Sequence, residues 1–276
     1  MKNEFKLTNA EKEMIRIDCE KAFNIKDVNG NGIVIDVESV IASIEKTAND
    51  ILYNNGKKTD ILKNGNGKID ESVECQALFP VLTCKGQCPG CYAVNACTKK
   101  FNGIGKQTAE SWYKFTFLAK YYRDIYFTQI DRELEKSKAS ECRWHVSGDF
   151  IDNEDVIRCI DLFGKYPHIR FYTYTKWTKE DMPALETLES MGNVNIVDSL
   201  PCGLINYGDD DYLAMLSEKV KAETGKTLVI CKCGSKLEKD FNKLHSKKNG
   251  GDGKKYCGGL CKACAYCEFV AFKQHK

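Results

Sequence analysis

The feature that most constrains this chain is a short glycine- and proline-rich loop that carries three cysteines. Cys84, Cys88 and Cys91 stand at C-x3-C-x2-C spacing. Three thiolates on such a loop reach three irons of one cubane cluster and leave the fourth iron without a protein ligand. With 15 cysteines in 276 residues, chance produces this spacing in roughly 4% of such chains, so we interpret the loop as functional.

Zinc is the alternative metal for this loop. Zinc prefers four tetrahedral ligands, which usually arrive as two C-x2-C pairs, and no second pair lies near the triplet in sequence. An open [4Fe-4S] cluster therefore suits the three thiolates better than zinc does. We expect Tyr92, directly after the third cysteine, to cover the cluster.

Charge and hydropathy exclude several classes of partner. The net charge of +2 gives no argument for nucleic acid or a membrane surface. The polar residues 1–10 lack a signal-peptide core, and no stretch approaches about 18 apolar residues. We therefore expect a cytoplasmic protein, in which cysteines bind metal or remain reduced. Five cysteines outside the clusters are predicted to be small buried residues: Cys19, Cys75, Cys97, Cys142 and Cys159.

A loop near the N terminus matches the calcium-binding pattern D-x-[DN]-x-[DN]-G-x5-E at every fixed position. Gly32 is expected to allow its sharp turn. The predicted calcium ligands are four side chains and one carbonyl: those of Asp27, Asn29, Asn31 and Glu38, and the carbonyl of Ile33.

The helices predicted on either side of this loop make it resemble an EF-hand or a dockerin loop. They cover residues 8–23, capped by Thr8 or Asn9, and about 37–53. EF-hands usually pair, and the one candidate partner, around 64–70, lacks the first and last ligands of the pattern. We expect weak calcium binding with a structural role, and an Asn/Gly-rich turn is the alternative.

Strands and helices alternate through most of the remaining chain. Residues 68–83 are predicted to form a strand that enters the cysteine loop, and aromatic residues in a long helix at 108–138 are predicted to pack in the core. The series continues with strands at 142–147, 168–175, 194–199 and 227–230 and with helices at 153–165, 178–191 and 209–223. Such alternation predicts an α/β fold with a parallel sheet, here a partial (βα) barrel of five strands.

Polar residues lie where two of these strands end. Ser147, Gly148 and Asp149 end one strand, and Thr175 and Lys176 end the next. A carboxylate and backbone carbonyls suit a bound ammonium group, and a barrel places its site at such strand ends. The alternative is a plain turn in which Asp149 or Asp152 caps the next helix.

The C-terminal segment contains a second group of cysteines. Residues 257–267 contain four thiols, of which Cys261, Cys264 and Cys267 stand at the C-x2-C-x2-C spacing that resembles a ferredoxin cluster segment. Such a segment takes a more distant fourth ligand, and Cys257, Cys231 and Cys233 are all candidates for it. Four thiolates suit a second [4Fe-4S] cluster or zinc. The predicted ligands of this auxiliary site are Cys231, Cys233, Cys257, Cys261, Cys264 and Cys267.

The cysteine triplet resembles the signature of radical S-adenosylmethionine (SAM) enzymes, although Gly90 stands where those enzymes usually carry an aromatic or apolar residue. Ser147-Gly148-Asp149 looks like a variant of their segment that holds the amino group of the SAM methionine. The resemblance implies a [4Fe-4S] cluster and SAM as cofactors. The cofactor-binding residues that it implies are Tyr92, Ser147, Gly148, Asp149, Thr175 and Lys176.

Further segments, among them 65–68, 145–150 and 170–176, are similar to a phage gene-product family related to radical SAM proteins, over roughly residues 62–276. We therefore expect three regions: a helical EF-hand-like extension at 1–60, a partial (βα) barrel of radical SAM type at 61–230 and a Cys-rich extension at 231–276. The resemblance implies a phage origin and names no substrate.

The resulting hypothesis is a radical SAM enzyme that cleaves SAM reductively and acts on an unknown substrate in the host cytoplasm. Such chemistry needs an electron donor such as flavodoxin or ferredoxin. Two alternatives stay open. One is a non-catalytic zinc or iron-sulfur module that mediates a phage-host interaction, and the other is an electron-transfer or redox-sensing iron-sulfur protein.

Overall fold

The computed structural model describes residues 4–27, 29–53, 59–65, 71–85, 91–99 and 103–199, the single residues 218 and 222, and strands at 228–231 and 269–272. Within this part of the chain the protein is mixed α/β, as predicted, with one sheet of seven strands. The strands are β1 (Lys63–Asn64), β2 (Val73–Cys75), β3 (Glu141–Trp144), β4 (Arg170–Thr175), β5 (Val194–Ser199), β6 (Leu228–Cys231) and β7 (Phe269–Phe272). The helices are α1 (Asn9–Phe23), α2 (Val37–Tyr53), α3 (Pro80–Thr83), α4 (Tyr92–Cys97), α5 (Ile104–Tyr121), α6 (Arg123–Lys136), α7 (Asn153–Gly164) and α8 (Ala184–Ser190).

The sheet is parallel except at one edge. Its order is β1-β2-β3-β4-β5-β7-β6, and only β1 runs antiparallel to its neighbour. β2 to β5 lie side by side in chain order, which is the order that successive βα units produce. β1 and β7 were not predicted from the sequence, and β7 places part of the predicted C-terminal extension inside the sheet.

The helices pack on one face of β2 to β5. Phe171 on β4 stacks on Phe163 of α7, with ring centroids 3.8 Å apart, and Ile196 on β5 belongs to the same core. Alternate strand positions point to the opposite face, where Val73 and Tyr172 form a separate small cluster. A partial (βα) barrel also has helices on one face of its sheet and neighbouring strands in chain order. The assignment of this sheet to such a barrel stays a prediction.

Both N-terminal helices follow the prediction. Thr8 caps α1 and forms a capping box with Glu11, whose carboxylate accepts a hydrogen bond from the Thr8 amide at 2.7 Å. Ile15 of α1 and Ile44 of α2 are fully buried in the core that also contains the sheet residues. The predicted N-terminal extension thus shares its core with the sheet.

Three predicted elements differ in the structure. Residues 80–83 form a helix rather than the end of a strand, because Pro80 occupies a first-turn position, where its missing amide costs nothing. The predicted helix at 108–138 is two helices, which meet at Tyr122 with φ −134° and ψ 49°. The helix predicted at 178–191 is reduced to α8, and most of the helix predicted at 209–223 lies outside the described residues.

The five cysteines predicted to be buried are at most 6% exposed, which confirms that they are small buried residues: Cys19, Cys75, Cys97, Cys142 and Cys159. Several aromatic side chains of α5 and α6 are likewise buried, as predicted, including Tyr113 and Tyr126. None of the helices that the structure describes is both long and apolar enough to cross a bilayer.

Candidate active site

Three segments of the chain meet at the carboxyl edge of the parallel strands. β2 leads through residues 76–79 to α3 and the cysteine loop. β3 leads into Ser147-Gly148-Asp149, and β4 ends at Thr175. The strand register pairs Trp144 of β3 with Thr173 of β4, so the segments that follow the two strands leave the same edge of the sheet.

The cysteine loop is partly described. The amide of Cys84 donates to Pro80 O at 3.0 Å and so ends α3, and Cys91 precedes α4 as its N-cap residue. Both side chains are half-buried and neither is part of a disulfide. Cys88 and the Tyr92 side chain lie outside the part that the structure describes. The structure therefore places only the first and third of the predicted cluster ligands, at the two ends of the loop.

The Ser147-Gly148-Asp149 turn lies directly against the residue that precedes Cys84. The Asp149 amide donates to Thr83 Oγ1 at 3.1 Å, and that hydroxyl donates to Phe79 O at 3.1 Å. Gly148 has φ +80°, and a Cβ there would lie 2.6 Å from Thr83 Oγ1. The contact thus requires glycine both for its backbone conformation and for its lack of a side chain.

The Asp149 carboxylate joins the β3 turn to the end of β4. Oδ1 accepts hydrogen bonds from Thr175 Oγ1 at 2.7 Å and from the Phe150 amide at 2.9 Å, and Oδ2 accepts the Lys176 amide at 2.9 Å. Burial raises the pKa of Asp149 to about 6, against the lowering effect of these bonds. The acid predicted to hold a ligand is thus also a link between two strands.

Two buried polar atoms near the turn have no hydrogen-bond partner among the described residues: His145 Nε2 and Ser147 Oγ. His145 has a left-handed backbone, with φ 58°, and its Nδ1 lies 3.3 Å from Thr173 Oγ1. Burial lowers the pKa of its imidazole to about 3, so the ring is neutral at physiological pH. Buried polar atoms are usually paired, and left-handed conformations in residues other than glycine concentrate at functional sites.

A second buried acid follows Asp149 along the chain, at the start of α7. Asp155, in the first turn of α7, accepts the Ile151 amide at 3.1 Å, and burial raises its pKa to about 7. Its own amide donates to Asp152 Oδ1 at 3.0 Å. Of the two acids considered as caps, Asp152 is therefore the N-cap of α7. The Asp149 carboxylate bonds instead with residues at the end of β4.

Side chains from the segment after β4 reach the cysteine loop. Lys85, next to Cys84, forms an ion pair with Asp181 at 2.5 Å, and its ammonium lies 5.4 Å from the centroid of the Trp177 ring. Trp177 Nε1 donates to Phe150 O at 2.9 Å. These contacts hold the segment after β4 against the first residues of the cysteine loop, beside the strand ends.

The predicted calcium loop is bonded within itself and to the rest of the protein. Asp27 Oδ1 accepts the amides of Asn29 and Asn31, and Glu38, in α2, pairs with Arg16 at 3.0 Å. Gly30 rather than Gly32 has the positive φ, at 76°, so the turn lies two residues earlier than expected. Ile33 is buried, and its amide donates to Ile25 O at 3.4 Å. Calcium binding at this loop stays a prediction.

The predicted auxiliary metal site falls almost entirely outside the described residues. Of its six cysteines only Cys231 is placed, by its backbone, at the end of β6. Within the described part of the chain, no group of three or more His, Cys, Asp or Glu side chains is arranged to hold a metal ion. The auxiliary cluster or zinc site remains a prediction.

Sequence reasoning missed Thr83 as part of the site. Nothing in the sequence distinguishes Thr83 from other threonines, because its role arises from a contact with Asp149, 66 positions away. Gly148 offered a signal, since a glycine after a strand often supports a turn with positive φ.

A protein-family model described as gene product 88 matches residues 45–271 of the chain. The match begins inside α2, so it leaves the predicted calcium loop outside the family region, as the sequence resemblance implied. No curated protein and no solved structure matches the chain.

Proposed function

This chain belongs to the gene product 88 family, whose description names no reaction, and from the site itself we propose that it is a radical SAM enzyme. In this proposal Cys84, Cys88 and Cys91 hold a [4Fe-4S] cluster with an open iron. The turn at Ser147, Gly148 and Asp149 binds the SAM methionine, beside the end of β4.

The observation that carries the proposal is the hydrogen bond from the Asp149 amide to Thr83 Oγ1. A cofactor that bound an open iron would also have to be held by a protein segment next to the cluster loop. Thr83 is covalently joined to Cys84, so the turn lies within one residue of the first proposed iron ligand. A zinc site that only stabilises the fold does not require a ligand-binding turn beside its cysteine loop.

The residues present fit a cluster and an amino-acid cofactor. Cys84 and Cys91 are half-buried at the ends of a loop, which suits thiolate ligation of a partly enclosed cluster. The Ser147 hydroxyl is buried and has no hydrogen-bond partner within the described part of the chain, so it has both a donor and an acceptor to offer. The Asp149 carboxylate provides negative charge near a cofactor ammonium group, although its hydrogen bonds already go to protein groups.

When bound, the cluster supplies the one electron that cleaves SAM reductively and starts radical chemistry on the substrate. The protein's own residues bind and orient. Thr175 and Lys176 extend from the end of β4 beside Asp149, where we place the carboxylate or ribose of the cofactor. Trp177 and Lys85 lie beside this site, on the side of the segment after β4.

The test is anaerobic reconstitution with iron and sulfide, followed by electron paramagnetic resonance (EPR) with and without SAM and an assay for 5′-deoxyadenosine. We expect a reduced-cluster signal that changes on adding SAM, and formation of the nucleoside. Cys88→Ala should abolish both effects. Cys19→Ala is the matched control, because burial raises the pKa of Cys19 to about 12 and keeps that thiol protonated in α1.

Two outcomes would overturn the proposal. Stoichiometric zinc without SAM binding would indicate a metal-stabilised interaction module. A cluster with a reversible potential that does not respond to SAM would indicate an electron-transfer or redox-sensing protein.

A further inference from the structure

Thr83 connects the cysteine loop to the β3 turn, although neither a motif nor a resemblance assigns it a role. Its side chain is buried, with 3% exposure. Its hydroxyl accepts the Asp149 amide and donates to Phe79 O, both at 3.1 Å. One hydroxyl thus joins α3, which ends at Cys84, to the segment that follows β3.

The contact is closely packed as well as hydrogen-bonded. A Cβ at Gly148 would lie 2.6 Å from Thr83 Oγ1 and 2.9 Å from the Leu78 Cβ. The Leu78 amide also donates to Ser147 O at 2.8 Å. Because the turn is held by both bonds and by contact, a shift of Thr83 changes the position of the turn relative to Cys84.

The same connection continues into β4. The Asp149 side chain accepts Thr175 Oγ1 at 2.7 Å and the Lys176 amide at 2.9 Å. A continuous set of hydrogen bonds therefore runs from Thr83 through Asp149 to Thr175. It joins the three segments that follow β2, β3 and β4.

We infer that Thr83 is a positioning residue that fixes the distance between the cysteine loop and the cofactor-binding turn. This inference rests on the proposed function, since it assumes that SAM bridges the loop and the turn. The hydroxyl does not touch the cofactor. It sets the geometry in which the cofactor reaches both an open iron and the Ser147–Asp149 turn.

The test compares wild type, Thr83→Val and Thr83→Ser. Valine retains the shape and removes the hydroxyl, and serine retains the hydroxyl and removes a methyl group. For each reconstituted protein, iron content, melting temperature and the SAM dissociation constant from the SAM-dependent EPR change are measured. We expect valine to weaken SAM binding about tenfold with iron content unchanged, since loss of the one hydrogen bond that reaches the turn, from the Asp149 amide, corresponds to about that factor. Serine should restore binding to near the wild-type value.

Thr83→Ala is measured beside these variants, because it removes the hydroxyl without placing a second methyl group against the turn. If SAM binding is unchanged in folded valine and alanine variants, or if both variants fail to fold, Thr83 is a structural residue and the inference is wrong. A wild-type protein that does not respond to SAM would instead contradict the proposed function. The two failures are therefore distinguishable.

Discussion

Thr98 Oγ1 donates a hydrogen bond to Asp27 Oδ2 at 2.7 Å, and this bond ties the loop after α1 to the residue that follows α4. The other carboxylate oxygen accepts the amides of Asn29 and Asn31. The bond from Thr98 is the largest of the effects that lower the pKa of Asp27 to about 2. The first predicted calcium ligand is therefore ionised and already engaged by protein groups.

We predict weak calcium binding at this loop, with a dissociation constant on the order of 1 mM. Calcium has to compete with Thr98 for Asp27 and with Arg16 for Glu38. Arg16→Ala should tighten binding roughly two- to fivefold, because it removes the weak surface ion pair that competes with calcium for Glu38. Isothermal titration with Ca²⁺, and with Mg²⁺ for comparison, measures the effect. Binding that persists unchanged in Glu38→Gln would show that this pattern does not form the site.

The two buried acids predict that the protein loses stability as pH rises from 5 to 8. The pKa is about 7 for Asp155 and about 6 for Asp149 in the folded state, against about 3.9 in an unfolded chain. Between these values the folded protein binds more protons than the unfolded chain. Each acid therefore lowers the free energy of unfolding by up to about 1.4 kcal/mol per pH unit. His145, with a folded-state pKa of about 3, opposes one of them below about pH 6.5, so the net decrease is smaller there than the sum of the two acids.

Asp155→Asn isolates the contribution of one acid. The amide cannot ionise, so we expect a smaller decrease in the free energy of unfolding between pH 5 and 7 than in wild type. Urea denaturation at pH 5, 6, 7 and 8 measures this slope for both proteins. Equal slopes would mean that Asp155 titrates in the folded protein much as it does in the unfolded chain.

The left-handed backbone of His145 predicts an unusual order of substitution effects. Asparagine tolerates positive φ and a β-branched residue does not. His145→Asn should therefore be more stable than His145→Val by about 1–2 kcal/mol, although the position is 3% exposed and burial alone favours valine. Chemical denaturation of the two variants decides between these effects. A more stable valine variant would show that the backbone relaxes at this position.

The elements that depend on local signals were predictable. The cap formed by Thr8 and Glu11 and the apolar spacing of α2 gave helices close to their observed bounds. Strand β5 was predicted with its observed bounds, Val194–Ser199. Each of these signals lies within a few residues of the element it defines.

Features that arise from distant contacts were not predictable. No proline or glycine marks the break at Tyr122, whose hydroxyl donates to Glu11, 111 positions earlier. The sequence suggested a ligand role for Asp149, but not its bonds with Thr175 and Lys176. Those bonds depend on the register between β3 and β4, which no motif in either strand specifies.

The position of β7 affects the order in which this sheet is completed. β7 pairs with both β5 and β6, and it is the partner through which β6 joins the sheet in the described structure. During synthesis β6 is made before β7. β6 therefore cannot form its pairing with β7 until residues 269–272 have left the ribosome. Parallel pairing between distant segments is slow, and unpaired strand edges promote aggregation. Chains released before β7 is made would therefore expose the edges of both β5 and β6.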